Sequence, residues 1–311
     1  MPYAPGVAAI VVQGLRKSYG AVEAVHGIDL TVREGEIFGL LGPNGAGKTT
    51  TVEILEGFRE RNGGTVSVLG HDPANRDREM RARIGIVLQS AGVETYLTVS
   101  EVIDLYRGYY PRPRDRDELL ALVGLADRPR VRVGSLSGGQ RRRLDVAVGL
   151  CGDPDLLFLD EPTTGFDPGA RRQAWEVIRG LTEKGKTVLL TTHFMDEAAV
   201  LADRLAVMNA GTIVAEGTLD EITGLGSQDT TIRFQLPEGA APPDGFDGLK
   251  PADRGGFEFS TADPTPALHR LTGWAIDSQV ELTDLTVTRP SLEDTYLALT
   301  GQAAERAERT P

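Results

Sequence analysis

The segment Gly42-Pro43-Asn44-Gly45-Ala46-Gly47-Lys48-Thr49 constrains this chain most, because it fits the phosphate-binding pattern G-x-x-x-x-G-K-[ST]. The apolar run 37–41 precedes it, and 49–56 can continue as a helix, so the segment predicts a strand–loop–helix unit. Glycines let the backbone N–H groups face the β- and γ-phosphates of a nucleotide. In such a loop the lysine adds a positive charge, the threonine hydroxyl suits magnesium, and the helix N-terminus favours an anion. A chance match in a glycine-rich turn is the alternative, and the flanking strand and helix argue against it.

A second apolar run, 156–159, ends in two carboxylates, Asp160 and Glu161. Ligands of α/β sheets bind at the carboxyl ends of the strands, so both acids are expected at that edge. Asp160 can hold magnesium directly or through water, and Glu161 is the candidate for polarising the attacking water. Taken alone, an Asp-Glu pair after a strand is common loop chemistry. The phosphate-binding pattern upstream favours the catalytic interpretation.

The pentapeptide Leu136-Ser137-Gly138-Gly139-Gln140 lies just upstream of this strand, and an apolar spacing typical of a helix follows it. Together with the two motifs above, it resembles the ATP-binding cassette family over roughly residues 7–224. The resemblance implies an α/β P-loop cassette with a parallel sheet core, an N-terminal antiparallel β portion and a helical insert at about 90–150. It also implies that the pentapeptide of one subunit caps the γ-phosphate bound by the other. A helix N-terminus opened by serine and glycines is itself suited to an anion.

The resemblance assigns roles to further residues by their place in the motifs. It implies catalytic roles for Glu161, Gln89 and His193, where the histidine contacts the γ-phosphate and orients the glutamate. It implies magnesium contacts for Thr49, Gln89 and Asp160. The nucleotide contacts that it implies are Tyr19 on the adenine, then Gly42, Pro43, Asn44, Gly45, Ala46, Gly47, Lys48, Thr49 and Thr50, and, from the second subunit, Ser137, Gly138, Gly139 and Gln140. Without the resemblance, a lone Tyr19 or His193 is more often a packing or surface residue.

Two departures bear on the subfamily and on the subunit interface. Arg141-Arg142-Arg143-Leu144-Asp145 follows the pentapeptide, and with the run 290–301 near the C-terminus it resembles the daunorubicin-resistance type of drug exporter. Ser291 and Asp294 predict a capping box at the start of a helix in that run. In the interface loop Gly165-Phe166-Asp167-Pro168 the family usually has leucine where Phe166 stands. This change leaves the chemistry intact but bears on the packing across the interface.

The order of apolar runs and breakers predicts two domains. Residues 7–224 form the cassette, in which predicted strands 84–88 and 187–191 belong to a parallel sheet, and predicted helices 100–110 and 115–125 belong to the insert. Residues 225–311 predict a small α+β extension, with strands at 232–236, 257–259 and 282–287 and a helix at 266–272.

Composition limits the class of protein and its compartment. The net charge of −12 argues against nucleic-acid binding, which needs a basic face. One cysteine, Cys151, cannot form an internal disulfide, and no apolar run approaches the roughly 18 residues of a membrane span. We therefore expect a cytoplasmic chain on the cytoplasmic face of the cell membrane, whose membrane contact is made through a partner.

The sequence as a whole predicts an ATP-hydrolysing subunit that requires Mg²⁺ and forms a homodimer when it binds ATP. This dimer is expected to drive separate transmembrane permease subunits that export drugs or other small amphipathic compounds. An ATPase acting on the ribosome or a repair complex is the alternative, although such proteins usually carry two cassettes, coiled-coil arms or zinc-binding cysteines. A nucleotide-gated module that does not hydrolyse is a second alternative, which intact Glu161 and His193 disfavour. The transported compound is chosen by the permease partner.

The tyrosines at 96, 106, 109 and 110 suggest a docking surface for that partner.

Overall fold

The structure is a computed structural model that describes residues 7–87, 94–224, 229–237, 240–252, 256–288 and 291–297. The chain divides into two compact units, Met1–Leu219 and Asp220–Pro311. The boundary at 224/225 and the division into two domains stay predictions.

The first unit alternates strands and helices. Its strands are β1 (Ala8–Tyr19), β2 (Val22–Arg33), β3 (Ile37–Leu41), β4 (Gly63–Val68), β5 (Ile84–Val87), β6 (Leu156–Asp160), β7 (Thr187–Thr192), β8 (Arg204–Asn209) and β9 (Thr212–Gly217). Its α-helices are α1 (Lys48–Leu55), α2 (Arg78–Arg83), α3 (Val99–Arg107), α4 (Arg116–Leu122), α5 (Gly138–Gly149), α6 (Pro168–Thr182) and α7 (Met195–Leu201), and short 3₁₀ turns lie at Pro73–Asn75 and Val133–Ser135.

Six of these strands form one sheet in the order β5-β6-β7-β3-β8-β9. The first five run parallel, and β9 pairs antiparallel with β8. Every residue of β3 and of β7 is buried, as expected for central strands of a parallel sheet covered on both faces. The carboxyl ends of β3, β6 and β7 therefore meet at one edge of the sheet.

The N-terminal strands form a separate antiparallel sheet in the order β2-β1-β4, which confirms the predicted antiparallel β portion. Its apolar face packs on the parallel sheet: Leu15 and Leu30 belong to the same buried cluster as Phe38 and Leu55. This packing lies under α1, so it supports the loop that precedes that helix.

A helical segment follows β5 and packs on the other side of the parallel sheet. Val102 of α3, Leu119 of α4 and Leu144 of α5 share one buried cluster with Leu157 of β6 and Leu190 of β7. Helices α3 and α4 are shorter than the predicted 100–110 and 115–125. A capping box of Thr98 with Glu101 starts α3 one residue earlier, and Asp115 caps α4 instead of joining it.

The helix α8 (Leu219–Thr223) begins at the last residue of the first unit and continues into the second. The second unit has the strands β10 (Thr230–Gln235), β11 (Lys250–Pro251), β12 (Gly256–Thr261) and β13 (Thr283–Thr288), and the helix α9 (Pro264–Asp277). The strands form an antiparallel sheet in the order β11-β12-β10-β13.

Ile232, Phe234 and Phe259 of this sheet pack against Leu271 of α9, which confirms the predicted α+β character. Helix α9 runs well beyond the predicted 266–272 at both ends. The capping box is present, since Ser291 Oγ accepts the N–H of Asp294 at 3.1 Å and the Asp294 carboxylate accepts the N–H of Ser291 at 2.8 Å. Within the described ranges no helix is long and apolar enough to cross a bilayer.

Candidate functional site

The loop Gly42–Thr49 connects β3 to α1, as the pattern predicts. Gly45 and Gly47 have φ of 83° and 100°, which favour glycine. A Cβ at Gly47 would lie 2.6 Å from the carbonyl oxygen of Ala24, and one at Gly42 would lie 2.4 Å from that of Met208. The conformation of the loop therefore requires glycine at these positions, and the backbone curls round the start of α1.

Lys48 is the first residue of α1, and its side chain is buried. Its ammonium group donates to the carbonyl oxygens of Gly42 at 2.6 Å and Pro43 at 3.1 Å. Burial lowers its pKa, and the charges of Glu161 and Asp160 partly oppose that shift. The loop thus encloses a cation next to two carboxylates, which suits a polyanionic ligand.

The loop and both carboxylates line one cavity of about 480 Å³, with the lining residues Ala24, Pro43, Asn44, Gly45, Gly47, Lys48, Thr49, Thr50, Asp160 and Glu161. The sequence-predicted residues of the phosphate loop and of the hydrolytic strand are therefore brought together. The Thr49 hydroxyl and the Asp160 carboxylate in this lining are oxygen donors of the kind that magnesium prefers, so the donor set fits that ion.

The neighbouring strand β7 holds the Asp160 carboxylate and the backbone of Glu161. Thr191 Oγ1 donates to Asp160 Oδ1 at 2.5 Å, and the N–H of Glu161 lies 3.1 Å from both the carbonyl oxygen and Oγ1 of Thr191. Glu161 has φ of 44°, a left-handed conformation that is unusual for a residue with a side chain. The backbone turn directs the two side chains differently, as two separate roles require.

His193 follows β7, and its Nδ1 lies 3.0 Å from Glu161 Oε1. Thr164 Oγ1 donates to the second carboxylate oxygen, Oε2, at 3.1 Å. Both oxygens of Glu161 are therefore oriented by neighbours, and the carboxylate faces the cavity that Lys48 shares.

The pentapeptide at 136–140 lies away from the cavity that Lys48 lines. Ser137 caps α5 in a box with Gln140, with Ser137 Oγ accepting the N–H of Gln140 at 3.3 Å. With Gly138, Gly139 and the loop of Phe166 it lines a second cavity, of about 510 Å³, which shares no lining residue with the first. Within one protomer the structure therefore does not bring Ser137 to the phosphate loop.

Tyr19 ends β1, and its hydroxyl lies 3.5 Å from Thr50 Oγ1, beside the start of α1. Lys17 and Arg59 each place a cationic group 5.2 Å from the centre of its ring. The ring is exposed enough to receive a flat ligand. Gln89 lies outside the described residues, so its predicted role has no structural description here.

The sequence analysis missed three residues around this site. Thr191 holds the carboxylate of Asp160 and the backbone N–H of Glu161, Arg142 donates to the carbonyl oxygen of Asp160 at 2.7 Å, and Glu56 is a buried carboxyl at the end of α1. Thr191 lay inside an apolar strand and carried no signal. Arg142 was visible only as part of a basic run. Glu56 follows an apolar run directly, which could have indicated its burial.

Comparison with known proteins decides the family. A profile described as ABC transporter matches residues 25–164, and one described as the C-terminal domain of ABC transporter domain-containing proteins matches residues 230–291. The daunorubicin/doxorubicin resistance ATP-binding protein DrrA of Streptomyces peucetius is 40% identical over 96% of this chain and 94% of its own length. The chain belongs to the ATP-binding cassette family. The Nod factor export ATP-binding protein I of Burkholderia orbicola is 39% identical over 95% of this chain and 98% of that protein.

Solved structures of ABC cassettes confirm the fold. An ATP-binding subunit of an ABC transporter has a TM-score of 0.63 at 27% identity, over 70% of this chain and 92% of that one. A bacterial ABC transporter cassette solved as a dimer has a TM-score of 0.60 at 25% identity, over 68% of this chain and 98% of that one. This chain is thus an ABC ATPase, the ATP-binding subunit of a transport system.

Proposed function

We propose that the cavity between the Gly42–Thr49 loop and β6 binds ATP with Mg²⁺ and hydrolyses it. The loop N–H groups and Lys48 hold the phosphates, and Thr49, Asp160 and Gln89 hold the ion. Bound there, magnesium neutralises phosphate charge. Glu161 accepts a proton from the attacking water, and His193 orients Glu161. The observation that carries this proposal is that Lys48 and both carboxylates line one cavity.

We also propose that two copies complete each other's sites. Ser137, Gly138 and Gly139 open α5 at a cavity separate from that of Lys48, so they need a second chain in order to reach a nucleotide. A helix N-terminus presents N–H groups and a favourable dipole to a phosphate. A related cassette crystallised as a dimer, which supports this assembly. Gln140, which completes the capping box of Ser137, contacts the same nucleotide from the second copy, and Tyr19 contacts the adenine.

The third part of the proposal concerns transport. The chain acts on the cytoplasmic face of the cell membrane, where separate transmembrane permease subunits dock on the cassette at 7–224, and the extension at 225–311 is a domain of its own. The names of both relatives describe resistance or export, which favours export of drugs or other small amphipathic compounds over an action on the ribosome or on DNA repair.

The test is ATP turnover by the purified chain with and without Mg²⁺. We expect Glu161→Gln to keep ATP binding and to lose turnover by roughly 10²- to 10⁴-fold, the usual scale of general-base catalysis. Glu176→Gln, an exposed carboxylate on α6, is the matched control and is expected to keep the parental rate. Turnover by Glu161→Gln within a few-fold of the parent would contradict the assigned role. Drug uptake by inverted vesicles that contain the chain together with its permease subunits then tests the transport reaction.

A further inference from the structure

Arg142 connects helix α5 to the backbone that carries the two carboxylates. It lies five residues after Ser137 and is only 8% exposed. Its Nη2 donates to the carbonyl oxygens of Asp160 at 2.7 Å and Glu161 at 3.4 Å, and its Nε donates to that of Pro162 at 3.1 Å. One rigid guanidinium thus contacts three consecutive carbonyl groups through two separate nitrogens, a planar arrangement that a lysine ammonium does not reproduce.

The contact falls at a residue with a strained backbone conformation. A non-glycine residue in the left-handed region is unfavourable and persists only where its surroundings hold it. Glu161, with φ of 44°, is held on its N–H side by Thr191 and on its carbonyl side by Arg142. The direction of the Glu161 side chain depends on that conformation.

The neighbouring arginines do not share this arrangement. Arg141 Nη2 donates to the carbonyl oxygen of Val133, and Arg143 Nη1 donates to those of Val123 and Gly124, all within the helical insert. Asp145, one turn further along α5, lies 4.0 Å from Arg142 and provides a partner for its buried charge. The run of three arginines therefore contains one residue directed at the hydrolytic strand.

We infer that Arg142 is a positioning residue for hydrolysis: it holds Glu161 in its catalytic direction and connects the helix that begins at Ser137 to the hydrolytic carboxylates of the same chain. The inference rests on the proposed roles of Glu161 and Ser137. When the N-terminus of α5 contacts the nucleotide of a second copy, a shift of that helix moves Arg142 and with it the turn at Glu161. Each nucleotide site is then coupled to the other through one side chain.

The test compares Arg142→Lys with Arg141→Lys in the full-length chain. Both changes keep the positive charge but replace the planar guanidinium and its several N–H donors by one ammonium group. For Arg142→Lys we expect kcat to fall by roughly tenfold or more, with the ATP dissociation constant within about threefold of the parent, since ground-state contacts are unchanged. Arg141→Lys is expected to keep kcat, because Arg141 contacts Val133 and not the hydrolytic strand. An equal kcat for the two variants would overturn the inference.

A double variant distinguishes positioning from general damage. If Arg142 acts through Glu161, adding Arg142→Lys to Glu161→Gln lowers single-turnover hydrolysis no further, because the two residues act as one unit. A further, multiplicative loss would overturn the inference. Should Arg142→Lys melt early, the same cycle is run at a temperature where both variants are folded by circular dichroism. Unimpaired turnover by Glu161→Gln alone would instead refute the proposed function, so the two failures are distinguishable.

Discussion

His193 Nδ1 and Glu161 Oε1 lie 3.0 Å apart, at the carboxyl ends of the neighbouring strands β7 and β6. The histidine is half-buried and the carboxylate more so. Because a hydrogen bond at this distance fixes the direction of a carboxylate, His193 orients Glu161 in the lining of the cavity that it shares with Lys48. The relation predicts that His193 acts on turnover and leaves nucleotide binding largely unchanged.

Replacing His193 by alanine tests this relation. We expect ATP turnover to fall by roughly 10- to 10³-fold, since both the orientation of Glu161 and a γ-phosphate contact are lost. Binding of a fluorescent ATP analogue should stay within about threefold of the parent. His269→Ala, an exposed histidine on α9, is the control and should leave turnover unchanged. Parental turnover by His193→Ala would contradict the prediction.

Lys48→Ala addresses binding itself. The buried ammonium group lies between the phosphate loop and the carboxylates, so its loss should weaken ATP affinity by roughly tenfold or more, the scale of one charge-assisted contact. Fluorescent ATP titration measures the effect. Lys184→Ala, an exposed lysine after α6, should bind as the parent does. Equal affinities for the two variants would count against the phosphate-binding role of the loop.

Nucleotide-dependent dimerisation is measured by light scattering with Glu161→Gln, which should shift from monomer towards dimer when ATP is added. Gly138→Asp on the same background should remain monomeric, because it places a negative charge where the phosphate of the second copy is expected. A Cβ at Gly138 meets no atom within 4 Å, so the protomer tolerates the change. An ATP-dependent dimer of the Gly138→Asp variant would contradict the proposed interface.

The parallel sheet and the phosphate loop could be predicted because their signals are local. An apolar run before Gly42 and another before Asp160 specify two buried strands, and parallel strands bring their carboxyl ends to one edge. That argument also placed the lysine beside the carboxylates. The helix starts were less accurate, because Thr98 and Asp115 are caps whose role depends on hydrogen bonds that a pattern does not show.

The residues that hold Asp160 and Glu161 in place could not be predicted, because their contacts join positions that are far apart in the sequence. Thr191 and Arg142 contact Asp160 from positions 31 and 18 residues away in sequence. Nothing in an apolar strand or a basic run indicates which partner such a residue finds. The left-handed conformation of Glu161 has the same origin, since the tertiary contacts that hold it are absent from the local sequence.

The predicted docking surface becomes more specific in the structure. Tyr96 and Tyr109 are 67% and 74% exposed, whereas Tyr106 and Tyr110 pack against the core of the helical insert. We therefore expect Tyr106→Ala to lower the melting temperature, as a loss of core packing does. Tyr96→Ala should melt as the parent does but lose stimulation of the ATPase by reconstituted permease. Full stimulation of Tyr96→Ala would remove Tyr96 from the docking surface.

Glu56 predicts a pH dependence of stability. Burial, with smaller contributions from the charges of Asp160 and Glu53, raises its pKa from 4.5 to about 8. A carboxyl whose pKa is raised by folding contributes stability that is complete below its unfolded pKa and is lost as the pH rises through the folded pKa. Between pH 6 and 8 the free energy of unfolding should therefore fall by about 2 kcal/mol, at ~1.4 kcal/mol for each pH unit below the folded pKa.

Urea unfolding of the chain without nucleotide or magnesium, at pH 6 and at pH 8, measures this fall. Glu56→Gln keeps the shape of the side chain but cannot ionise, so its midpoints at the two pH values should lie much closer together than those of the parent. Glu60→Gln, an exposed carboxyl on the same segment, should keep the parental difference. Equal pH dependence in the parent and in Glu56→Gln would show that Glu56 is not the titrating group. If instead the difference disappears only in Glu56→Gln, the buried end of α1 is neutral when the protein folds at neutral pH. The Glu56 carboxyl then adds no negative charge that would compete with Asp160 for a bound cation.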